Sequence, residues 1–135
     1  HICPEFIEVL VNSLVLSGIA MDFAGTSRPV SGSEHCFSHA LDYYSDKKNL
    51  HGIQVALGAV TMLKLIGESY DEVLAYLKKF EVDINPEHLG ITEDTFVECM
   101  QKASSMRKGR YTHLDEADLS ENILRNLYKE LVEEL

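Results

Sequence analysis

The stretch HGIQVALGAVTMLKLIG, residues 51–67, is apolar nearly all round. A helix of that kind has to be enclosed by other elements on every side, so it predicts the centre of a helical bundle. Gly58 inside it costs about 1 kcal/mol relative to Ala, which makes close helix packing its expected purpose. Met62 and Leu65 are read as core. The remaining segments supply the surrounding helices. Residues 5–24 carry an apolar stripe of Ile7, Leu10, Val11, Leu14 and Val15 behind Pro4, which suits a first turn, and Gly25 ends the run. Its later part, SGIAMDFAG, is rich in small residues and is expected to be buried against a neighbour. Ser69 with Glu72 predicts a capping box for DEVLAYLKKF, and Asp118 with Glu121 a second one for LSENILRNLYKELVEEL. In that last helix Ile123, Leu124, Leu127, Leu131 and Val132 recur at helical spacing. Thr92 is expected to cap EDTFVECMQKASSM, with Phe96, Val97 and Met100 inward, and residues 81–91 form a turn with an exposed, inert His88. No segment alternates with period two. The expected fold is all-α, a helical bundle.

With 135 residues the chain has one domain's worth of sequence, enough to bury a core. Its net charge of −10 excludes nucleic-acid binding, which calls for a basic surface. No membrane span is expected, because Asp22, Lys64 and Glu68 interrupt the best candidate stretches. The start, HICPEF, lacks Met and a signal-peptide pattern and reads as a cut inside a longer protein. Cys3, Cys36 and Cys99 form no C-x-x-C pair and read as reduced thiols of a cytoplasmic protein.

Residues 31–52, SGSEHCFSHALDYYSDKKNLHG, concentrate His35, His39 and His51. The first two are four apart and share one helix face. Ser31 or Ser33 can cap that helix, and Glu34 falls in its first turn, where the dipole favours an anion. His51 follows the polar loop DYYSDKKN and opens the next helix beside Gly52, which would let another group approach the backbone. Two helix-borne imidazoles and a third at a neighbouring helix start suit a catalytic zinc, which takes about three N or O ligands and leaves one position open. The alternative is a set of ordinary helix and cap histidines. A zincin is excluded, since Cys36 stands where its motif needs Glu. Arg28, in the loop TSRPVSGS, is read as a surface or packing residue. MRKGRYTH, residues 106–113, is the only basic cluster, and by itself it is a solvated loop. The glycines form no G-x-G-x-x-G and no Walker loop, so no nucleotide-phosphate cradle is recognisable.

SGIAMDFAGTSRPVSGSEHCFSH, LHGIQVALGAVTML and RYTHLD resemble the sn-glycerol-1-phosphate dehydrogenases, within the glycerol dehydrogenase, iron-dependent alcohol dehydrogenase and dehydroquinate synthase superfamily. The match is strongest over residues 17–60 and weakens over residues 80–105. The resemblance implies the C-terminal helical domain of a dehydroquinate synthase-like fold, with the N-terminal dinucleotide-binding domain absent from this chain. It implies zinc, or another divalent metal such as nickel or iron, on His35 and His51, with His39 facing the substrate. The third ligand would be an aspartate from near the absent domain; Asp42 is the local substitute and is read instead as a helix-surface carboxylate. NAD or NADP would be held mainly by the absent domain. The reaction implied is interconversion of dihydroxyacetone phosphate and sn-glycerol 1-phosphate, for phospholipid biosynthesis. Arg110 would meet the phosphate of this three-carbon substrate, with Tyr111 steadying its stem and supplying a hydroxyl. A homo-oligomer is expected. A glycerol dehydrogenase or a dehydroquinate-synthase-like cyclase is the near alternative, and a non-catalytic helical interaction module the distant one.

Overall fold

The computed structural model describes residues 3–135; His1 and Ile2, the first residues of the HICPEF start, lie outside the described residues. The described residues are helical and contain no strand, as the periodicity predicts. The chain divides into two units, one ending at Gly32 and the other spanning Ser33–Leu135.

The first unit is helix α1 (Pro4–Ala24) followed by a 3-10 turn at Arg28–Val30. Pro4 stands in the first turn of α1, where the missing N–H costs nothing. Gly25 closes the helix with φ 61°, a left-handed conformation that favours glycine, and its N–H donates to Asp22 O at 3.1 Å. Two sequence expectations fail here. None of the residues of α1 is buried, SGIAMDFAG included, and Phe23 is 89% exposed. By length and composition α1 is also sufficient to cross a membrane. Glu5 and Glu8 lie near its start and Asp22 in its last turn, so the charges leave the apolar middle intact. Length and composition are all that α1 shares with a span.

In the second unit, α2 (Ser33–Tyr44) packs against α3 (His51–Leu65), against α5 (Glu93–Lys102) and against a 3-10 turn at Ala103–Met106. Helix α6 (Glu121–Glu134) packs on α5 and touches α3, while the short α4 (Asp71–Lys79) contributes Val73, Leu74 and Leu77 to the rim of the core. Phe37 and Leu41 of α2, Leu57 and Val60 of α3, Phe96 and Met100 of α5, and Leu124 and Leu131 of α6 are fully buried together. Met62 is core, Leu65 packs against it half-buried, and Ile123 turns outward. Helix α3 is thus held on one side by α2, where Gly58 sits. A Cβ built on Gly58 would stand 2.9 Å from the backbone oxygen of Glu34, so the two helices approach main chain to main chain.

Thr92 caps α5, accepting from Thr95 N at 3.2 Å. The other two caps form differently. Helix α4 begins two residues after Ser69 and α6 three after Asp118, so Glu72 and Glu121 are not at the third helical position that a box requires. Asp118 instead accepts from Ser120 N at 2.9 Å in a local turn. The reciprocal pair occurs around a 3-10 turn at His113–Asp115: Thr112 N donates to Asp115 Oδ2 at 2.8 Å and Leu114 N to Thr112 Oγ1 at 3.3 Å.

Lys64, with only 14% of its side chain exposed, ties α3 to α6 through Glu130 at 3.0 Å and Glu134 at 2.8 Å. Tyr70 joins the same group, donating to Glu134 Oε2 at 2.8 Å. The hydrogen bonds from Lys64 and Tyr70 hold the Glu134 carboxyl below its ordinary 4.5. A carboxyl depressed in the folded state stabilises the fold above its unfolded value, and that contribution is lost as pH falls through the folded one.

Two stability predictions follow from these contacts. Gly58→Ala gains helix propensity but forces α2 and α3 apart, so it is expected to destabilise by about 1–3 kcal/mol, read as a lower urea midpoint. Lys64→Met should flatten the fall in urea midpoint between about pH 6 and pH 3, because Glu134 then titrates closer to its unfolded value. An unchanged acid profile would show that the Lys64–Glu134 pair contributes nothing.

Candidate functional site

Helix α2 presents His35, Ser38 and His39 toward the start of α3, where His51 is the first helical residue. The i, i+4 spacing puts both α2 imidazoles on one face, and the α2–α3 contact at Gly58 brings His51 beside them. The His35 and His51 rings lie 5.2 Å apart, centroid to centroid, at 61°, and the His39 and His51 rings 5.9 Å apart at 29°. His51 is exposed and the other two half-buried, so the cluster opens to solvent. The three histidines singled out by spacing do converge.

Each ring has one nitrogen committed. His35 Nδ1 lies 2.8 Å from Glu34 Oε1; an ionised carboxylate only accepts, so Nδ1 carries the proton. His51 Nδ1 lies 2.9 Å from Ser38 Oγ, whose own proton goes to Gln54 Oε1 at 2.8 Å. His39 Nε2 lies 3.1 Å from Arg107 Nη2, and a guanidinium only donates, so His39 is neutral with Nε2 accepting. Burial, then the Arg107 charge, then His51, hold the His39 pKa below its ordinary 6.5.

The donor set fits a soft-to-borderline divalent cation in part. His35 and His51 each have Nδ1 bonded to an oxygen, the arrangement that orients a ligating imidazole and leaves Nε2 for a metal. With about 2.0–2.1 Å from metal to nitrogen, two rings on one ion stand on the order of 5 Å apart, as these do. His39 differs, since its Nε2 is engaged by Arg107. No group of three His, Cys, Asp or Glu side chains able to hold a metal is present among the described residues. Asp42 is exposed on α2, in keeping with a surface carboxylate. Cys36 is buried in the core, and burial pushes its thiol pKa up, in keeping with a reduced packing residue.

Two local readings need correction, and two further residues have partners that the sequence did not suggest. Ser33 is the first residue of α2 and its buried hydroxyl has no partner among the described residues, so it is not the cap. Among the described residues, no atom outside its own helix turn lies within 4 Å of a Cβ built on Gly52, so they do not make the close approach expected there. The Tyr111 hydroxyl donates to Glu116. His88 is exposed as expected but pairs with Asp83 at 2.9 Å, and its carbonyl accepts from Lys47. Arg107 is the residue beside this cluster that spacing missed. Its signal was the basic loop 106–113 itself: the turn Ala103–Met106 packs on α2, so the residue directly after it reaches His39.

A titration tests the electrostatics of this cluster. In an NMR titration of the metal-free chain His39 should protonate below 6.5, and Arg107→Ala should raise its midpoint without restoring the ordinary value, because burial is the larger cause. The same sign applies to stability: a depressed histidine stabilises the fold above its unfolded pKa, and that contribution is lost as pH falls below it.

Comparison with known proteins gives a consistent result, although no family model matches the chain. It is 43% identical over 128 residues to a glycerol-1-phosphate dehydrogenase [NAD(P)+] of Staphylothermus marinus, covering 94% of this chain and 36% of the relative. It is 45% identical over 107 residues to the enzyme of that name from Methanosarcina mazei, covering 79% of this chain and 30% of the relative. For that of Nitrosopumilus maritimus the identity is 36% over 122 residues, covering 90% and 34%. The chain spans about a third of the length of the curated relatives it matches.

Proposed function

We propose that this chain, homologous to part of the glycerol-1-phosphate dehydrogenases, is the helical, substrate-facing part of an NAD(P)-dependent oxidoreductase that interconverts dihydroxyacetone phosphate and sn-glycerol 1-phosphate. The observation that carries this reading is the convergence of His35, His39 and His51 in a pattern with two different roles. His35 and His51 keep Nε2 for a divalent metal, while His39 is paired with a guanidinium. A zinc or similar ion held by these two imidazoles, with a carboxylate from outside the described residues, would supply Lewis acidity at the ketone oxygen, and a nicotinamide would supply hydride. The dinucleotide-binding domain is proposed to lie elsewhere in the full protein, and a cytoplasmic homo-oligomer is the setting that suits the reading.

The chain's own residues do the orienting. Neutral His39 offers Nε2 as an acceptor, so it can hold a substrate hydroxyl or move its proton. Arg107 stands beside it, and Arg110 lies on the same loop. A phosphate monoester brings a charge near −2, which a guanidinium meets with paired, charge-assisted hydrogen bonds. The protein carries a net charge of −10, so an anionic substrate needs such a local positive group to offset the general repulsion. Arg107 is already in contact with the imidazole proposed to face the substrate, which makes it a phosphate candidate equal to Arg110.

The test uses the full-length enzyme. His35→Ala and His51→Ala are expected to lose the metal, measured by elemental analysis, and to abolish turnover; His39→Ala should keep the metal and lose rate. Arg107→Ala and Arg110→Ala should each weaken the use of dihydroxyacetone phosphate by about 2 kcal/mol in kcat/KM, the scale of a charged hydrogen bond, with little effect on unphosphorylated dihydroxyacetone. Ligand variants that retain stoichiometric metal and full activity would refute the metal assignment. A wild-type preference for the unphosphorylated ketone would move the protein to glycerol dehydrogenase chemistry.

A further inference from the structure

Gln54 is fully buried in α3, one turn after His51, and its side-chain Nε2 has no hydrogen-bond partner among the described residues. Its Oε1 accepts from Ser38 Oγ at 2.8 Å, and Ser38 is itself fully buried. A buried amide left half-satisfied lowers stability, and an apolar side chain of similar shape would fill the same space without that penalty. The one thing this amide does is to fix a direction. A serine hydroxyl has a single proton, and Gln54 Oε1 takes it. Ser38 Oγ can then only accept on its other side, where His51 Nδ1 stands at 2.9 Å.

We propose that Ser38 and Gln54 are positioning residues that hold the His51 proton on Nδ1 and leave Nε2 bare for a divalent cation. The proposal rests on the metal reading given above and deepens it. His35 obtains the same tautomer from an exposed-side carboxylate, Glu34, at 2.8 Å. His51 begins its helix and has no acidic neighbour in its first turn, so it needs a neutral relay from the adjoining helix. The relay is also mechanical. It links α2 at Ser38 to α3 at Gln54 inside the core and so ties the His51 ring angle to the packing of the two helices.

The opposite orientation of the donor chain gives the opposite tautomer. If Gln54 Nε2 donated to Ser38, the hydroxyl would donate to His51 Nδ1 and the ring proton would sit on Nε2, pointing at the cation site.

Two measurements on this chain decide between these cases, with Ser38→Ala and Gln54→Met as variants. Gln54→Met keeps the volume and removes an unsatisfied amide, so it should fold at least as stably as wild type. Long-range 1H–15N NMR with labelled histidine, well above the imidazole pKa, reads which nitrogen of His51 is protonated. The wild type should be the Nδ1–H tautomer, and both variants should shift toward Nε2–H. Zinc(II) competition against a chromophoric chelator should show about 10- to 100-fold weaker binding in both variants, the usual loss for an outer-shell partner. An Nε2–H tautomer in wild type, or an Nδ1–H tautomer unmoved by both variants, overturns the proposal. His51→Ala separates the two levels. If it binds zinc as tightly as wild type, the ligand assignment has failed. If it loses zinc while Ser38→Ala and Gln54→Met keep wild-type affinity and tautomer, the ligands stand and the relay does not.

Discussion

The close approach of α2 and α3 at Gly58 is the constraint on which the site depends. With no side chain at Gly58, the backbone of Glu34 can lie where a Cβ would otherwise stand 2.9 Å away. Glu34 immediately precedes His35, and its carboxylate holds the His35 ring at 2.8 Å. The same contact therefore sets the distance between helices and the orientation of one imidazole. One helix turn on, Ser38 reaches across to His51 and Gln54, so the second imidazole is set by the same pair of helices. Interiors transmit small displacements because they are close-packed. A shift of a few tenths of an ångström at Gly58 would be felt at both rings.

Much of this was legible in the sequence because helical periodicity and the i, i+4 rule depend only on local geometry. Spacing identified Gly58 as a contact point and the His35–His39 face as continuous, but the all-round apolar character of residues 51–65 overstated α3, which buries one face against α2, while α2 is the helix packed between α3, α5 and the turn Ala103–Met106. The caps were legible only where the cap residue is adjacent to its helix, as at Thr92. Ser69 and Asp118 mislead because a box has a fixed three-residue register and each helix starts later than the composition suggests. The burial of SGIAMDFAG was misread for a different reason. Small residues permit close packing but do not specify a neighbour, and α1 has no buried residue.

The site was legible as residue types and not as polarity. Spacing gathers imidazoles, but it cannot say which nitrogen is free. That depends on partners distant in sequence: Arg107 lies 68 positions from His39, and Gln54 lies 16 from Ser38. Arg110 was the natural choice on the basic loop, since it adjoins an aromatic that can support its stem. The fold also places Arg107 on His39 and gives the Tyr111 hydroxyl to Glu116. A loop's reach is fixed by the element that anchors it, here the turn Ala103–Met106 against α2, and no short-range pattern encodes that anchor.

The partner of each imidazole also argues for an order of events in the proposed chemistry. Arg107 donates to His39 Nε2, so in the absence of substrate the basic side chain and the acceptor nitrogen neutralise each other's demands. In the proposed reaction a phosphate monoester would compete for that guanidinium, because a charge-assisted pair is stronger than a bond to a neutral ring. Withdrawal of Arg107 removes both a hydrogen bond and a nearby positive charge from His39. The ring then becomes more basic and its Nε2 becomes available at the same moment. In the proposed reaction, phosphate recognition and activation of the proton acceptor would thereby be one event.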